Sequence, residues 1–250
     1  PSAAPILVAP RQAAREYEVD AREGELFIRT NDTHPNFRIV TANVASPGEW
    51  RELIAAGDRH YLRGISSFKS VLAIAERIDG LDQIRLRSYD GDEHWIAFPE
   101  ASYATSLGNN PEYDPAALRL SYESMVTPGT VYDYHLADRR LEVRKVQTIP
   151  SGYDASAYET VRLMATARDG ARVPISVVYK KGFPKDGSGK LIIRELASLL
   201  QNQATTYMDT QFVKKAGDPT MYPKVLYAQK FPAWDWIIGT GVYVDDVEAQ

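Results

Sequence analysis

The stretch LRLSYESMVTPGTVYDYHLADRRLEVRKV, residues 118–146, carries the pattern on which the first part of the chain is built. Apolar and polar residues alternate along it, and the dipeptide Pro128-Gly129 separates two alternating segments. Alternation with a period of two predicts short strands that bury one face, and a Pro-Gly pair between them is typical of a tight turn. The stretch therefore predicts an antiparallel meander.

The same pattern occurs twice upstream. EYEVDAREGELFIRTND, residues 16–32, alternates around Glu23-Gly24, and SVLAIAERIDGLDQIRLRSYDGDEHWIAF, residues 70–98, has turn dipeptides at Asp79-Gly80 and Asp90-Gly91. Gly after an acidic residue is a strong hairpin signal. We therefore expect the first part of the chain to be a repeating all-β array.

Leu26, Leu72 and Leu118 recur in this array at intervals of about 46 residues, close to the period of a four-stranded propeller blade. The period predicts about three blades over residues 1–150, a partial β-propeller with open flanks, because a closed ring generally takes four to eight blades. Periodicity alone leaves a β-sandwich of the same strands as an alternative.

Composition limits the partners and cofactors. The 250 residues have a formal charge of -4 with acidic and basic residues intermixed, which gives no electrostatic footprint for nucleic acid. There is no Cys, so disulfides and thiolate metal sites are excluded, and no apolar run is long enough to form a membrane-spanning segment. The first residues do not resemble a signal peptide and suggest a chain cut from something longer.

Residues 118–136 and 146–182 together resemble the late propeller and the start of the catalytic domain of the prolyl oligopeptidase family, with the oligopeptidase B-like members as the nearer relatives. The resemblance covers approximately residues 10–188, and most of it is carried by Tyr122, Ser124, Thr127, Pro128, Tyr132, Ala167, Arg168, Asp169, Gly170, Pro174 and Tyr179. It implies peptides as the class of substrate, cut after basic residues in the oligopeptidase B-like case.

Residues 151–188 are interpreted as the first hairpin of an α/β-hydrolase domain. Val161, Leu163 and Ala165 are expected to face the same way as the apolar residues of the partner strand, and Asp169-Gly170 suits a type I′ turn. No G-x-S-x-G segment is present, and all four His residues lie in the propeller-like repeats. A hydrolytic triad needs nucleophile, base and acid together, so we expect no catalytic residue and no peptidase activity.

The segment GDEHW, residues 91–95, contains three side chains that could ligate a metal, namely Asp92, Glu93 and His94. Adjacent residues of a strand or turn point in different directions, which argues against a shared coordination sphere. We therefore interpret it as a solvated hairpin end and expect neither a metal nor a cofactor.

The pattern changes within KKGFPKDGSGKLIIRELASLLQNQ, residues 180–203. Leu191, Ile192, Leu196, Leu199 and Leu200 form a stripe at helical spacing. Residues 205–215, 223–231 and 236–246 then predict three antiparallel strands. Residues 189–250 are thus expected to form an α+β unit with one helix and an antiparallel meander.

FVKKAGDPTMYPKVLYAQKFPAWDWIIGTGVYVDDVEA, residues 212–249, resembles the C-terminal half of a single Cache domain, the PAS-like sensor module of bacterial chemoreceptors and histidine kinases. The resemblance is carried by Lys215, Gly217, Asp218, Pro223, Lys224, Tyr227, Phe231, Pro232, Trp234, Trp236, Ile238, Gly239, Thr240, Gly241, Tyr243 and Asp245. It implies binding of a small carboxylate, for which Lys224 and Tyr227 are the candidate ligand-binding residues. Strand alternation places these two on opposite faces unless a bulge intervenes.

The chain is accordingly interpreted as a fusion, natural or artefactual, of an inactive serine oligopeptidase fragment with part of a Cache domain. A small-carboxylate sensor module and a chimera with no specific function remain as alternatives. The resemblances imply a bacterial origin, with a cytoplasmic or periplasmic peptidase-like part and a periplasmic Cache-like part. Open strand edges favour self-association.

Overall fold

The computed structural model describes residues 5–184, 192–212, 214, 220–231 and 236–248. The chain falls into two compact units, which divide between Lys181 and Gly182. The first unit is built mainly of strands, as the alternating sequence predicts, and the described α-helices lie in the second.

Three four-stranded antiparallel sheets follow one another along the first unit, and we call them blades 1, 2 and 3. Blade 1 contains β1 (Tyr17–Arg22), β2 (Glu25–Thr30), β3 (Arg38–Asn43) and β4 (Ser46–Ile54). Blade 2 contains β5 (His60–Ser67), β6 (Val71–Ile78), β7 (Leu81–Ser88) and β8 (Glu93–Trp95). Blade 3 contains β9 (Ala104–Leu107), β10 (Ala117–Glu123), β11 (Thr130–His135) and β12 (Arg140–Val146). The predicted three-blade array is confirmed.

The blades repeat with the predicted period. Their second strands, β2, β6 and β10, begin 46 residues apart. Leu26, Leu72 and Leu118 each occupy the second position of these strands, and each is buried. The sequence repeat is therefore a repeat of equivalent core positions.

The core of the first unit lies between the blades. β6 is buried on both faces: Leu72 and Ile74 pack in a cluster with residues of blade 1, whereas Val71 and Ala73 pack in a cluster with residues of blade 3. A strand covered on both sides is what stacked blades require.

The other face of blade 3 is polar. β10 alternates strictly between buried and exposed residues, unlike β6. On its exposed side Arg119 Nε lies 2.9 Å from Asp133 Oδ1, and Arg144 Nε lies 3.3 Å from Asp133 Oδ2. This face is adapted to water rather than to another apolar sheet.

After a short 3₁₀ turn at Ala155–Ala157, β13 (Tyr158–Thr166) and β14 (Arg172–Lys180) form the predicted hairpin. Its register pairs Val161 with Val177, Leu163 with Ile175 and Ala165 with Val173, so the apolar residues of the two strands face the same way, as predicted. These residues share one face, on which Leu163, Val173 and Ile175 are exposed.

The other face of the hairpin contacts blade 2 and the loop before β9. The hydroxyls of Ser102 and Ser176 are 2.6 Å apart, and Arg162 donates to the carbonyl of Asp79.

The type I′ turn predicted at Asp169-Gly170 is wrong. Only Gly170 has a positive φ, of 85°, and Ala167 and Ala171 close a loop of three residues through a backbone hydrogen bond of 2.8 Å. A three-residue hairpin loop needs a left-handed conformation only at its last position, so Asp169 keeps an ordinary φ.

The second unit contains α1 (Ile192–Leu199), β15 (Thr205–Phe212), β16 (Tyr222–Phe231), β17 (Trp236–Tyr243) and α2 (Val244–Glu248). The sheet order β15-β16-β17 is the predicted meander. Leu196 and Leu200 pack on Ala228, Met208 and Leu226 of the sheet.

Two expectations for this unit are wrong in detail. Leu199 is 44% exposed, so it lies off the buried stripe of α1, while Leu191 falls outside the described residues. The last strand ends at Tyr243 rather than at Asp246. Asp245 and Asp246 instead lie in the first turn of α2, where acidic residues favour a helix N-terminus.

Candidate functional site

The histidine residues of the chain do not form part of a hydrolytic triad in the described structure. Each ring contacts a carboxylate or a phenol in the first unit: His34 with Asp58, His60 with Glu76, His94 with Tyr134 and His135 with Glu142. Among the described residues, no Ser hydroxyl is bonded to any of these rings. The described residues therefore contain no Ser nucleophile hydrogen-bonded to a His base.

The three candidate ligands of the GDEHW segment bind separate partners. Asp92 Oδ2 lies 2.6 Å from Arg139, Glu93 Oε2 lies 2.9 Å from Arg87, and His94 Nε2 lies 2.8 Å from Tyr134 Oη. Burial lowers the pKa of His94, and the positive charge of Arg139 lowers it further. No group of three metal-ligating side chains occurs in the described residues.

Blade 2 contains a buried ionic cluster that sequence reasoning missed. The carboxylate of Glu76 has no exposed surface and accepts hydrogen bonds from Arg85, at 2.9 Å, and from His60 and the indole of Trp95. Arg85 is itself buried and stacks on Trp95. In the sequence, Glu76 follows a run of five apolar residues, which is the one signal that could have indicated a buried charge.

Lys224, the first candidate ligand residue, lies on β16 opposite Thr210 and Tyr243. Its ammonium lies 4.7 Å from the ring centre of Tyr243 and 5.3 Å from that of Phe212. Among the described residues, no carboxylate lies within ion-pair distance of it. Lys224 is therefore a cation held against aromatic rings, with its charge available to an anion.

Gly241 leaves room for the Lys224 side chain. A Cβ added at Gly241 would lie 2.7 Å from Lys224 Cε and would also collide with the side chain of Leu226. Only a residue without a side chain fits this position of β17 while Lys224 and Leu226 keep their places.

Tyr227, the second candidate, lies on the opposite face of the sheet. It pairs with Tyr207 and Thr240, and the two tyrosine rings are 5.1 Å apart. Tyr227 lines an open apolar cavity of about 450 Å³ together with Val225 and Val242. The structure does not bring Tyr227 and Lys224 together, because β16 has no bulge and successive side chains alternate.

The sequence did not indicate that Lys214 and Lys224 both contact the ring of Tyr243. Lys214 contacts Asp245, at 2.7 Å, and Asp246, and these hydrogen bonds raise the pKa of the Lys214 ammonium. The ring centre of Tyr243 lies 5.1 Å from the ammonium of Lys214 and 4.7 Å from that of Lys224. The pairing of Tyr243 with Lys224 depends on strand register, which the sequence pattern does not specify.

Within the described part of the chain, neither helix is long and apolar enough to cross a membrane. Five residues that carry the Cache resemblance lie outside that part, namely Lys215, Gly217, Asp218, Pro232 and Trp234.

Comparison with known proteins agrees with the two sequence resemblances. The sequence model of the prolyl oligopeptidase N-terminal β-propeller domain matches residues 2–147, and that of a Cache domain matches residues 181–250.

Three relatives illustrate the match. Dipeptidyl aminopeptidase BI of Pseudoxanthomonas mexicana is 36% identical over 77% of this chain, and Protease 2 of Moraxella lacunata is 29% identical over 75%. The solved structure of oligopeptidase B from Trypanosoma brucei superposes with a TM-score of 0.62 and 27% identity over 71% of this chain. The chain spans 27% of the length of each of these three proteins.

Proposed function

Because the chain belongs to the prolyl oligopeptidase family through the propeller at residues 2–147, we propose that its first unit is the non-catalytic propeller part of a serine oligopeptidase. The three consecutive blades carry this proposal. Peptides are the class of molecule that such a unit would contact, and the chain by itself would not cleave them.

The proposed inactivity rests on the separation of the candidate groups. The four His rings are held by Asp58, Glu76, Tyr134 and Glu142, and no G-x-S-x-G segment supplies a nucleophile. The purified chain should release no product from a chromogenic peptide with an Arg at the cleaved bond. An intact oligopeptidase B assayed in parallel is the positive control. Product release that a serine-reactive inhibitor abolishes would contradict the proposal.

A second function is favoured by one observation in the second unit. The Lys224 ammonium lacks a carboxylate partner among the described residues and lies against two aromatic rings. Charge-assisted hydrogen bonds make such a cation a good partner for a carboxylate. We propose that the Cache-like unit binds a small carboxylate through Lys224, and that Tyr227 belongs to the other face of the sheet.

Thermal unfolding with acetate, propionate or pyruvate tests this second function, because a ligand of the folded state raises the unfolding temperature. Lys224→Met should abolish the shift, whereas Tyr227→Phe should leave it unchanged. If the ligand raises the unfolding temperature of Lys224→Met as much as that of the parent, or raises neither at millimolar concentration, the proposed binding through Lys224 is contradicted.

The joining of the two parts is also a proposal. One long DNA read across the codons of Tyr179 to Leu199 tests it, since a natural fusion places both sides in frame on one molecule. If no read crosses the join, the two parts come from separate genes and the chain as a whole has no specific function.

A further inference from the structure

A polar cavity of about 420 Å³ lies in the first unit, where the turn between β6 and β7 meets the hairpin. Three Arg residues from separate elements line it: Arg59 precedes β5, Arg77 lies near the end of β6, and Arg172 begins β14. Residues more than 90 positions apart in the sequence thus meet at this cavity.

Two of the three guanidinium groups already have carboxylate partners. Arg59 binds both oxygens of Asp79, at 2.5 and 2.6 Å, and Arg77 Nε lies 2.7 Å from Asp82. Arg172 has no carboxylate within ion-pair distance among the described residues. It is therefore the guanidinium of this cavity that is available to a ligand.

Three guanidinium groups act on Asp79, which lines the cavity. The hydrogen bond from Arg59 lowers the pKa of Asp79, and the charges of Arg162 and Arg172 lower it further. The other lining carboxylate, Asp58, is 96% exposed and contacts His34, so it offsets little of this charge.

Further hydrogen-bonding groups complete the lining. His60 lines the cavity, and its Nε2 is fixed by the buried carboxylate of Glu76, while Tyr61 contributes a phenol. A guanidinium presents several donors in one plane, which suits the oxygens of a carboxylate or a phosphate. The cavity thus combines an unpaired Arg with oriented polar neighbours.

We propose that this cavity binds a small multivalent oxyanion, carrying carboxylate or phosphate groups, and that Arg172 is its principal ligand. Because Arg172 belongs to the hairpin and Arg59 and Arg77 to blade 2, a bound anion would hold the hairpin against the blade. This site is separate from the proposed carboxylate site at Lys224.

Calorimetric titration of the full chain with sodium phosphate, and in a second arm with sodium citrate, tests the proposal at an ionic strength kept constant with sodium chloride. We expect saturable binding in at least one arm, and the arm that binds identifies the source of the oxyanion. Arg172→Ala should weaken this binding at least about tenfold, the effect of losing one strong charge-assisted contact.

Arg168→Ala is the matched control, because it removes the same charge from the turn of the same hairpin. This variant should bind as the parent does. If Arg168→Ala and Arg172→Ala weaken anion binding equally, the binding reflects the overall charge of the chain and not a site at Arg172, which overturns the proposal. If the titration shows no saturable binding up to about 10 mM anion, the cavity is not a binding site, which overturns it as well. Loss of binding in Lys224→Met would place the anion in the second unit and overturn it as well.

Discussion

At the scale of single residues, the fully buried carboxylate of Glu76 should contribute to the stability of the first unit. Its buried carboxylate accepts hydrogen bonds from Arg85, His60 and Trp95. Its removal would leave the buried guanidinium of Arg85 with only the partly exposed Glu93, 3.7 Å away, as a counter-charge. We expect Glu76→Ala to lower the free energy of unfolding by about 3–5 kcal/mol. Urea unfolding followed by circular dichroism measures this change.

Glu52→Ala is the control for Glu76→Ala. Glu52 pairs with Arg38 in blade 1 at 3.3 Å but is half exposed, so its loss should cost less than about 1 kcal/mol. Equal effects of the two substitutions would show that the buried cluster contributes no more than a surface ion pair.

His94 should make the stability of the first unit depend on pH. Its pKa is lowered in the folded state by burial and by Arg139, so between the folded pKa and about 6.5 the unfolded chain binds more protons. The contribution of neutral His94 is therefore complete above pH ~6.5 and is lost as the pH falls towards the folded pKa.

Urea unfolding at a series of pH values tests the His94 prediction. His94→Gln should flatten the dependence of stability on pH below neutrality. An unchanged profile in His94→Gln would contradict the assignment.

At the scale of secondary structure elements, Gly241 allows β17 to lie beside β16. An added methyl group would displace Lys224 and Leu226, so Gly241→Ala should destabilise the second unit by about 1–3 kcal/mol and weaken binding at Lys224. Gly57→Ala is the control, because the nearest atom to a Cβ there is 3.8 Å away. Thermal unfolding of both variants checks the prediction, and equal stabilities would contradict it.

The β13–β14 hairpin should promote self-association through its exposed apolar face. Ile175, beside Leu163 on that face, is 41% exposed, and a two-stranded sheet has two unpaired edges. Ile175→Lys should shift the chain towards its monomer mass of 28.0 kDa in light scattering after gel filtration. Val178→Lys, on the other face, should have little effect; if it acts equally, the apolar face is not responsible.

The hairpins could be predicted from the sequence because their signals are local. Alternation predicted that Val161 and Val177 lie on one face of the hairpin, and alternation is a property of neighbouring residues. The exact turn at Asp169-Gly170 and the end of β17 at Tyr243 could not be predicted in the same way. These depend on loop length and on the helix-favouring Asp245 and Asp246, which compete with strand alternation.

At the scale of the whole molecule, the two units should unfold in two transitions. Each has its own apolar cluster, between the blades in the first unit and around Leu196 and Leu200 in the second. Differential scanning calorimetry should show that Glu76→Ala lowers only one transition and that Gly241→Ala lowers only the other. A single transition that both substitutions shift would contradict this separation.

The period of 46 residues was enough to predict three blades, because equivalent buried positions recur in the sequence. The candidate sites could be predicted only in part. Lys224 was identified by resemblance and its separation from Tyr227 was predicted from strand alternation, but its aromatic neighbours follow from strand register. The Arg172 cavity joins residues distant in sequence, so no local pattern indicates it.

The polar outer face of blade 3 has a consequence for the solubility of a partial ring. In repeat proteins a terminal repeat acts as a cap when its outer surface carries charge in place of the apolar face of inner repeats. Arg119, Asp133 and Arg144 give blade 3 that character, while β6 of blade 2 is buried on both sides. The outer face of blade 3 can therefore be exposed to solvent, and blade 3 can be the last blade of a stack without exposing an aggregation-prone apolar surface.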